Sequence, residues 1–263
     1  MTARGRPNVT GGRPALQLRL LAEFVGSAFL AAVVIGSGIA AQTLSPGQAG
    51  LELLETAAVT AAGLFAIILM VGAVSGGHLN PVVSVVDAAF GGISWRDAAA
   101  YAPTQVIGCV AGAIAANTMF GLSAVSISQH DRTSAGHWLG EAVATVGLLL
   151  VIFALARFQR THVTPVAVGA YIGAAYFFTS STGFANPAIA IGRMFSNTFA
   201  GIAPASVPGF MAAQTVGGLV AVGLIRLFYP DMSAAAADVV PPPADATAQQ
   251  SLEAPTTGRR ARA

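Results

Sequence analysis

Two short stretches constrain this chain more than any others: Ser75-Gly-Gly-His-Leu-Asn-Pro-Val82 and Ser181-Thr-Gly-Phe-Ala-Asn-Pro-Ala188. In each, an Asn stands directly before a Pro, after a glycine-containing approach and ahead of about ten helix-compatible residues, so the Asn is placed to cap a helix whose first position is Pro. Both helix starts are embedded in apolar sequence. The chain is 54% hydrophobic and only 9% charged, more apolar surface than a 263-residue soluble core can hide, which puts it in a bilayer. Irregular backbone at membrane depth is tolerated only where it is buried in protein or lines a water-filled cavity. A cavity is the economical reading here.

Apolar spans of about 20 residues, enough to cross roughly 30 Å of hydrocarbon, fall at approximately 17–41, 54–74, 98–121, 137–157, 164–182 and 206–228. The Asn-Pro segments follow the second and fifth spans and are too short to cross. About ten residues at 1.5 Å rise reach roughly 15 Å, half the membrane, so two of them together make one crossing. Residues 1–15 and 229–263, rich in Gly, Pro and Arg, read as disordered tails flanking a channel-like unit over 16–228. The polar, Pro/Gly-broken start ahead of a long span reads as a first transmembrane helix and not a cleaved signal.

The basic residues are 13 arginines and no lysine. Arg4, Arg6, Arg13, Arg19, Arg96, Arg157, Arg160, Arg226, Arg259, Arg260 and Arg262 fall on one side of the spans, and only Arg132 and Arg193 on the other. The positive-inside bias then places both termini in the cytoplasm of a multi-pass protein of the cell membrane, with the first Asn-Pro loop entering from inside and the second from outside. Scattered between apolar spans, these arginines form no stripe of the kind that binds nucleic acid.

The two halves, about 16–121 and 137–228, echo each other. Ala22-Glu23-Phe-Val-Gly26 answers Gly140-Glu141-Ala-Val-Ala144, Asn80-Pro81 answers Asn186-Pro187, and Gln105 with Gly108 and Gly112 answers Gln214 with Gly217 and Gly218. Three spans per half is an odd number, so the second half is inverted in the membrane, a device that builds a central site from broken helices with their N-termini at the midplane. The glycines permit close helix contact.

Taken together, these features resemble the aquaporin and aquaglyceroporin (major intrinsic protein) family over about residues 16–228. The resemblance implies an all-α membrane protein with six transmembrane helices plus two re-entrant half-helices in an inverted repeat. Its pore carries water and small uncharged solutes, and one pore is expected in each subunit of a homotetramer. Asn80, Pro81, Val82, Asn186, Pro187 and Ala188 would stand at the midplane, and the backbone of Gly76, Gly77, His78, Gly183, Phe184 and Ala185 would line the pore with carbonyl acceptors. Glu23 and Glu141, costly inside a bilayer unless partnered, would hold the re-entrant loops, with snorkelling to an interface as the plainer alternative. Counting from the two motifs without gaps, the filter positions fall on Thr60, Ala174, Gly183 and Ile189.

Two departures stand out: the first motif reads Asn80-Pro81-Val82 where the family usually has Ala third, and Ile189 stands where it usually has Arg. A filter without aromatic, His or Arg groups implies a wide, weakly cationic mouth. Arg193, one helical turn beyond Ile189, is a candidate to supply the missing guanidinium. The run Asn186-Pro-Ala-Ile-Ala-Ile-Gly-Arg193, followed by Phe199-Ala-Gly-Ile202, resembles a bacterial subgroup often linked to arsenic detoxification. The expected substrates are therefore water plus glycerol-sized polyols or metalloid hydroxides such as arsenous acid, with a water-dominated pore as the alternative.

Nothing in the sequence has the form of a catalytic constellation: it has no phosphate-cradling Gly-Lys-Ser/Thr loop, no Cys/His metal spacing and no nucleophile with an ordered base. Neither an enzyme, a cofactor nor a metal is expected. A coupled secondary transporter also uses inverted repeats but needs ionisable midplane groups, and few are offered. A closed-pore scaffold is a third possibility. Cys109 reads as a small packing residue, His78 as pore-lining or simply packed, and Asp87 as a partner of Arg96 near the cytoplasmic end of the first half-helix, with no transport role.

Overall fold

The computed structural model describes residues 13–230, so the tails read from sequence lie, but for a few residues, outside the described part. The described residues form eight α-helices and three 3-10 turns, with no strand. In chain order the helices are α1 (Leu16–Leu44), α2 (Ala49–Ser75), α3 (Pro81–Phe90), α4 (Trp95–Met119), α5 (Ala135–Arg157), α6 (Thr164–Phe178), α7 (Pro187–Gly192) and α8 (Val207–Phe228).

Helices α1, α2, α4, α5 and α8 are long and apolar enough to cross a membrane. The fifth span is shorter than expected. Helix α6 has 15 residues, about 22 Å at 1.5 Å per residue, and is preceded by the 3-10 turn Thr161–Val163. Conversely, α2 begins five residues earlier than its apolar run because its acidic residues find partners in the α1–α2 turn. Gly47 N–H donates to Glu52 (3.0 Å) and the Ser45 hydroxyl to Glu55 (2.7 Å).

The halves α1–α4 and α5–α8 pack by the same rule, α1 on α4 and α5 on α8. A Cβ on Gly108 or Gly112 would strike the α1 backbone at Phe24 and Ala28, and one on Gly217 the α5 backbone at Ala142. These contacts need a bare Cα, which lets the helix axes approach closely. The sequence pairing is inexact at Gly218, which faces Val82 of α3 instead. Helices α2 and α6 join the halves, with Gly169 and Gly173 against Ala57 and Ala61. Both half-helices lean mainly on α4, α7 across the halves, where Gly192 meets the buried Cys109, and α3 within its own half, and each also touches α8.

Phe199 N–H bonds the Gln42 side chain near the end of α1, and Ala203 N–H bonds the His130 carbonyl. The loops at 120–134 and 196–206 and the α1 C-terminus therefore share one face, the distal face, opposite the ends of the described chain.

Candidate functional site

Each re-entrant loop hangs from a fully buried glutamate. Glu23 accepts from the backbone N–H of His78 (3.0 Å) and Leu79 (2.7 Å), the Ser75 hydroxyl (2.6 Å) and the Gln105 amide (2.7 Å). Glu141 accepts from Phe184 N–H and Ala185 N–H, both at 2.8 Å, and from the Gln214 amide at 2.6 Å. Snorkelling is thereby corrected: both carboxylates point inward and are satisfied, as a charge at membrane depth requires.

The carboxylates fix an unusual backbone. Leu79 (φ 54°) and Ala185 (φ 48°) sit in the left-handed region without being glycine, a conformation costing about 1–2 kcal/mol each. It sends their carbonyls across the midplane, where the Asn186 amide donates to Leu79 O and the Asn80 amide to Ala185 O, both at 2.7 Å. The other oxygen of each Asn caps its own helix, Asn80 accepting from Val82 N–H (3.0 Å) and Asn186 from Ala188 N–H (2.9 Å). Each side-chain amide has two N–H groups and uses one in this clasp, which leaves one for a solute.

Both asparagines line a cavity enclosing about 80 Å³ of space accessible to the centre of a water molecule. At about 10–15 Å³ per water, it has room for a short file of waters. Of the expected midplane set, only these two border the cavity. Pro81, Val82, Pro187 and Ala188 start the half-helices and pack behind them. Gly76, Gly77, His78, Gly183 and Phe184 line it, as does Leu79, while Ala185 does not.

The filter positions divide. Thr60, Gly183 and Ile189 line the distal part, but Ala174 is exposed on the outside of α6. The cavity face of α6 is Thr164, Val168, Ile172 and Tyr176, spaced by four, and a residue two positions from either neighbour points about 200° away. Tyr176 therefore takes the place assigned to Ala174, its hydroxyl 3.1 Å from that of Thr60. Arg193, on the 3-10 turn that continues α7, also reaches the cavity. Its Nε donates to Ala200 O and its guanidinium carbon lies 3.5 Å from the Phe184 ring centroid. The mouth is thus aromatic and cationic, and the expectation of a wide, weakly cationic one is corrected.

Asp87 needs correction as well. It is fully buried, its carboxylate 3.4 Å from His78 Nε2, while Arg96 is exposed and makes no bond to it. His78 Nδ1 meets the Ser84 hydroxyl at 3.0 Å. Both side chains of the pair are buried, with the imidazole held between Asp87 and Ser84. Nothing in the sequence marked this pair, since Asp87 follows nine residues after His78 on a helix whose burial is set by α4 and α8. Among the described residues no three His, Cys, Asp or Glu side chains gather as a metal site.

Residues 13–195 match the family described as Major intrinsic protein. This chain is a member of that family. Aquaglyceroporin AqpS of Rhizobium meliloti (strain 1021) is 45% identical over 211 residues, 80% of this chain and 90% of that protein. The glycerol uptake facilitator protein of Pseudomonas aeruginosa is 30% identical over 227 residues, covering 74% and 80% of the two chains. The X-ray structure of the aquaglyceroporin from Plasmodium falciparum aligns with a TM-score of 0.66 at 20% identity, over 84% of this chain and all of that one. That likeness shows the fold: a major intrinsic protein's bundle with two half-helices meeting at its centre.

Proposed function

We propose that this protein is a passive channel of the cell membrane for water and glycerol-sized uncharged solutes, and not an enzyme. The observation that carries this is the reciprocal clasp, in which two helix N-termini face one another across a cavity that the two asparagines line. Each N-terminus carries roughly half a positive charge, so a cation meets a barrier there while a neutral hydroxyl finds donors. The side-chain amides of Asn80 and Asn186 and the carbonyls of the Gly76–His78 stretch replace the hydration of a passing solute.

The mouth supports the glycerol class over a water-dominated pore. Glycerol-conducting members of the family use aromatics plus Arg as a filter, and Tyr176, Phe184 and Arg193 supply that chemistry here from positions that gap-free counting does not reach. AqpS and the Pseudomonas facilitator, by their names, point to the same class. Arsenous acid, neutral and about glycerol-sized, is the metalloid hydroxide of choice. The arginine bias puts the distal face outside and both termini in the cytoplasm. Large exposed apolar side chains such as Phe29, Leu69, Ile107 and Leu219 face lipid or sister subunits in a homotetramer.

Stopped-flow light scattering of proteoliposomes tests the reading. Water, glycerol and arsenous acid are expected to pass at rates independent of a proton gradient. Gradient-dependent uptake would identify a coupled carrier, exclusion of glycerol and arsenous acid a water pore, and lipid-level rates a closed scaffold.

A further inference from the structure

At the distal mouth, two positive charges stand without a counter-charge. Arg193 is 3% exposed and borders the cavity. Arg132, from the α4–α5 loop, lies 5.3 Å from the centroid of the same Phe184 ring that Arg193 covers. Its Nε donates to Gly201 O at 3.1 Å and its Nη2 to Phe199 O at 3.5 Å. Neither guanidinium makes an ion pair among the described residues. The neighbouring carboxylates are engaged: Glu141 holds the second re-entrant loop, and Asp131 accepts from Thr133 and from the Ser206 hydroxyl. His130 adds no charge, because partial desolvation, then the positive Arg132 and Arg193, hold its imidazole below the ordinary value, neutral at pH 7.

The remaining donors are Nη1 and Nη2 of Arg193 and Nη1 of Arg132, which make no hydrogen bond to a protein acceptor among the described residues. A guanidinium pinned through Nε and stacked on a ring keeps its outer N–H edge fixed in plane, which matches a two-oxygen planar anion. The geometry points to an oxyanion site at the distal mouth, formed by Arg193 and Arg132 about Phe184, that takes a small carboxylate-type monoanion and, when filled, obstructs the passage of neutral solutes. Beyond the mouth the wall is largely aliphatic, with Leu64, Ile68, Val168 and Ile172. Stripping a carboxylate of water there is unfavourable without a paired charge, so the anion stops at the arginines.

This inference rests on the channel reading, and its test separates the two. Glycerol flux into proteoliposomes is measured at fixed ionic strength with sodium formate against sodium chloride, and each variant is scored by its own formate-to-chloride ratio. Two charge-assisted hydrogen-bonded contacts imply a Kd on the order of millimolar, and formate at about twice that concentration cuts glycerol flux about threefold. The ratio returns to one in Arg193→Gln and moves most of the way in Arg132→Gln. Glycerol flux that ignores formate, or inhibition that survives Arg193→Gln, overturns the site while leaving the channel intact. Line broadening of carbon-13 formate by the solubilised protein reads binding without flux. Broadening that Arg193→Gln removes upholds the site even if glycerol does not pass, and its absence in the parent overturns it.

Discussion

In the first re-entrant loop Glu23 holds the N–H groups of His78 and Leu79, Leu79 turns left-handed and Asn80 reaches Ala185 O; in the second, Glu141 holds Phe184 and Ala185, Ala185 turns left-handed and Asn186 reaches Leu79 O. Past the asparagines the likeness ends. Helix α3 carries Asp87 back to a buried pairing with His78, whereas α7 runs into a turn that lays Arg193 on Phe184. The shared part faces one symmetric task, holding two helix N-termini against each other in a medium that offers no water to unpaired backbone. The divergent parts face different compartments, and there the chemistry is free to differ.

The largest expected effect tests the shared part. Glu23→Ala strands two backbone N–H groups, a hydroxyl and an amide, and Glu141→Ala strands two N–H groups and an amide. At about 1–3 kcal/mol for each buried orphan, either loss costs about 3 kcal/mol or more, slightly more at Glu23. Thermal unfolding in detergent, followed by size exclusion, reads this. A large drop in one variant with none in the other would break the equivalence of the loops.

A medium effect separates their backbones. Ala185→Gly relieves a left-handed residue at the loss of one methyl and is expected to stabilise by about 1 kcal/mol, while Ala185→Val destabilises by more than that. The same relief fails at Leu79, whose side chain is 1% exposed and packed on Gly26. There Leu79→Gly costs about 2 kcal/mol or more of packing. Melting temperatures of the three variants check the order; Ala185→Val at or above Ala185→Gly would mean that the positive φ stores no strain.

The smallest effect lies at the mouth. Tyr176→Phe removes the hydroxyl that meets Thr60, and the glycerol-to-water permeability ratio should fall about twofold, some 0.4 kcal/mol by the tenfold-per-1.4 kcal/mol rule. An unmoved ratio, with Ile189→Arg also silent, would put the filter elsewhere.

These contrasts follow what the sequence makes legible. The asparagines, the glutamates and the inverted order are readable because each occurs twice, at corresponding places in two halves. Arg193 is readable as one turn beyond Ile189 by helical spacing alone. Tyr176 is not. Helix α6 is apolar nearly all round, so no periodicity tells which side faces the cavity, and counting back through a loop of irregular backbone lands two residues away. Asp87 is misread as a partner of Arg96 because the two are near in sequence across a helix end, and only the packing of α3 among α4 and α8 reveals its burial beside His78.

The claim at the centre is that two half-helix N-termini, held by the asparagine clasp, make the midplane positive and so exclude cations. The most direct test is cation conductance of proteoliposomes carrying Asn80→Asp or Asn186→Asp, with insertion and folding verified. Each substitution keeps the oxygen that caps its helix and places a negative charge where two positive dipole ends meet. Conductance appearing in both variants, of similar size, is the predicted result. Liposomes that stay as cation-tight as the parent would contradict it.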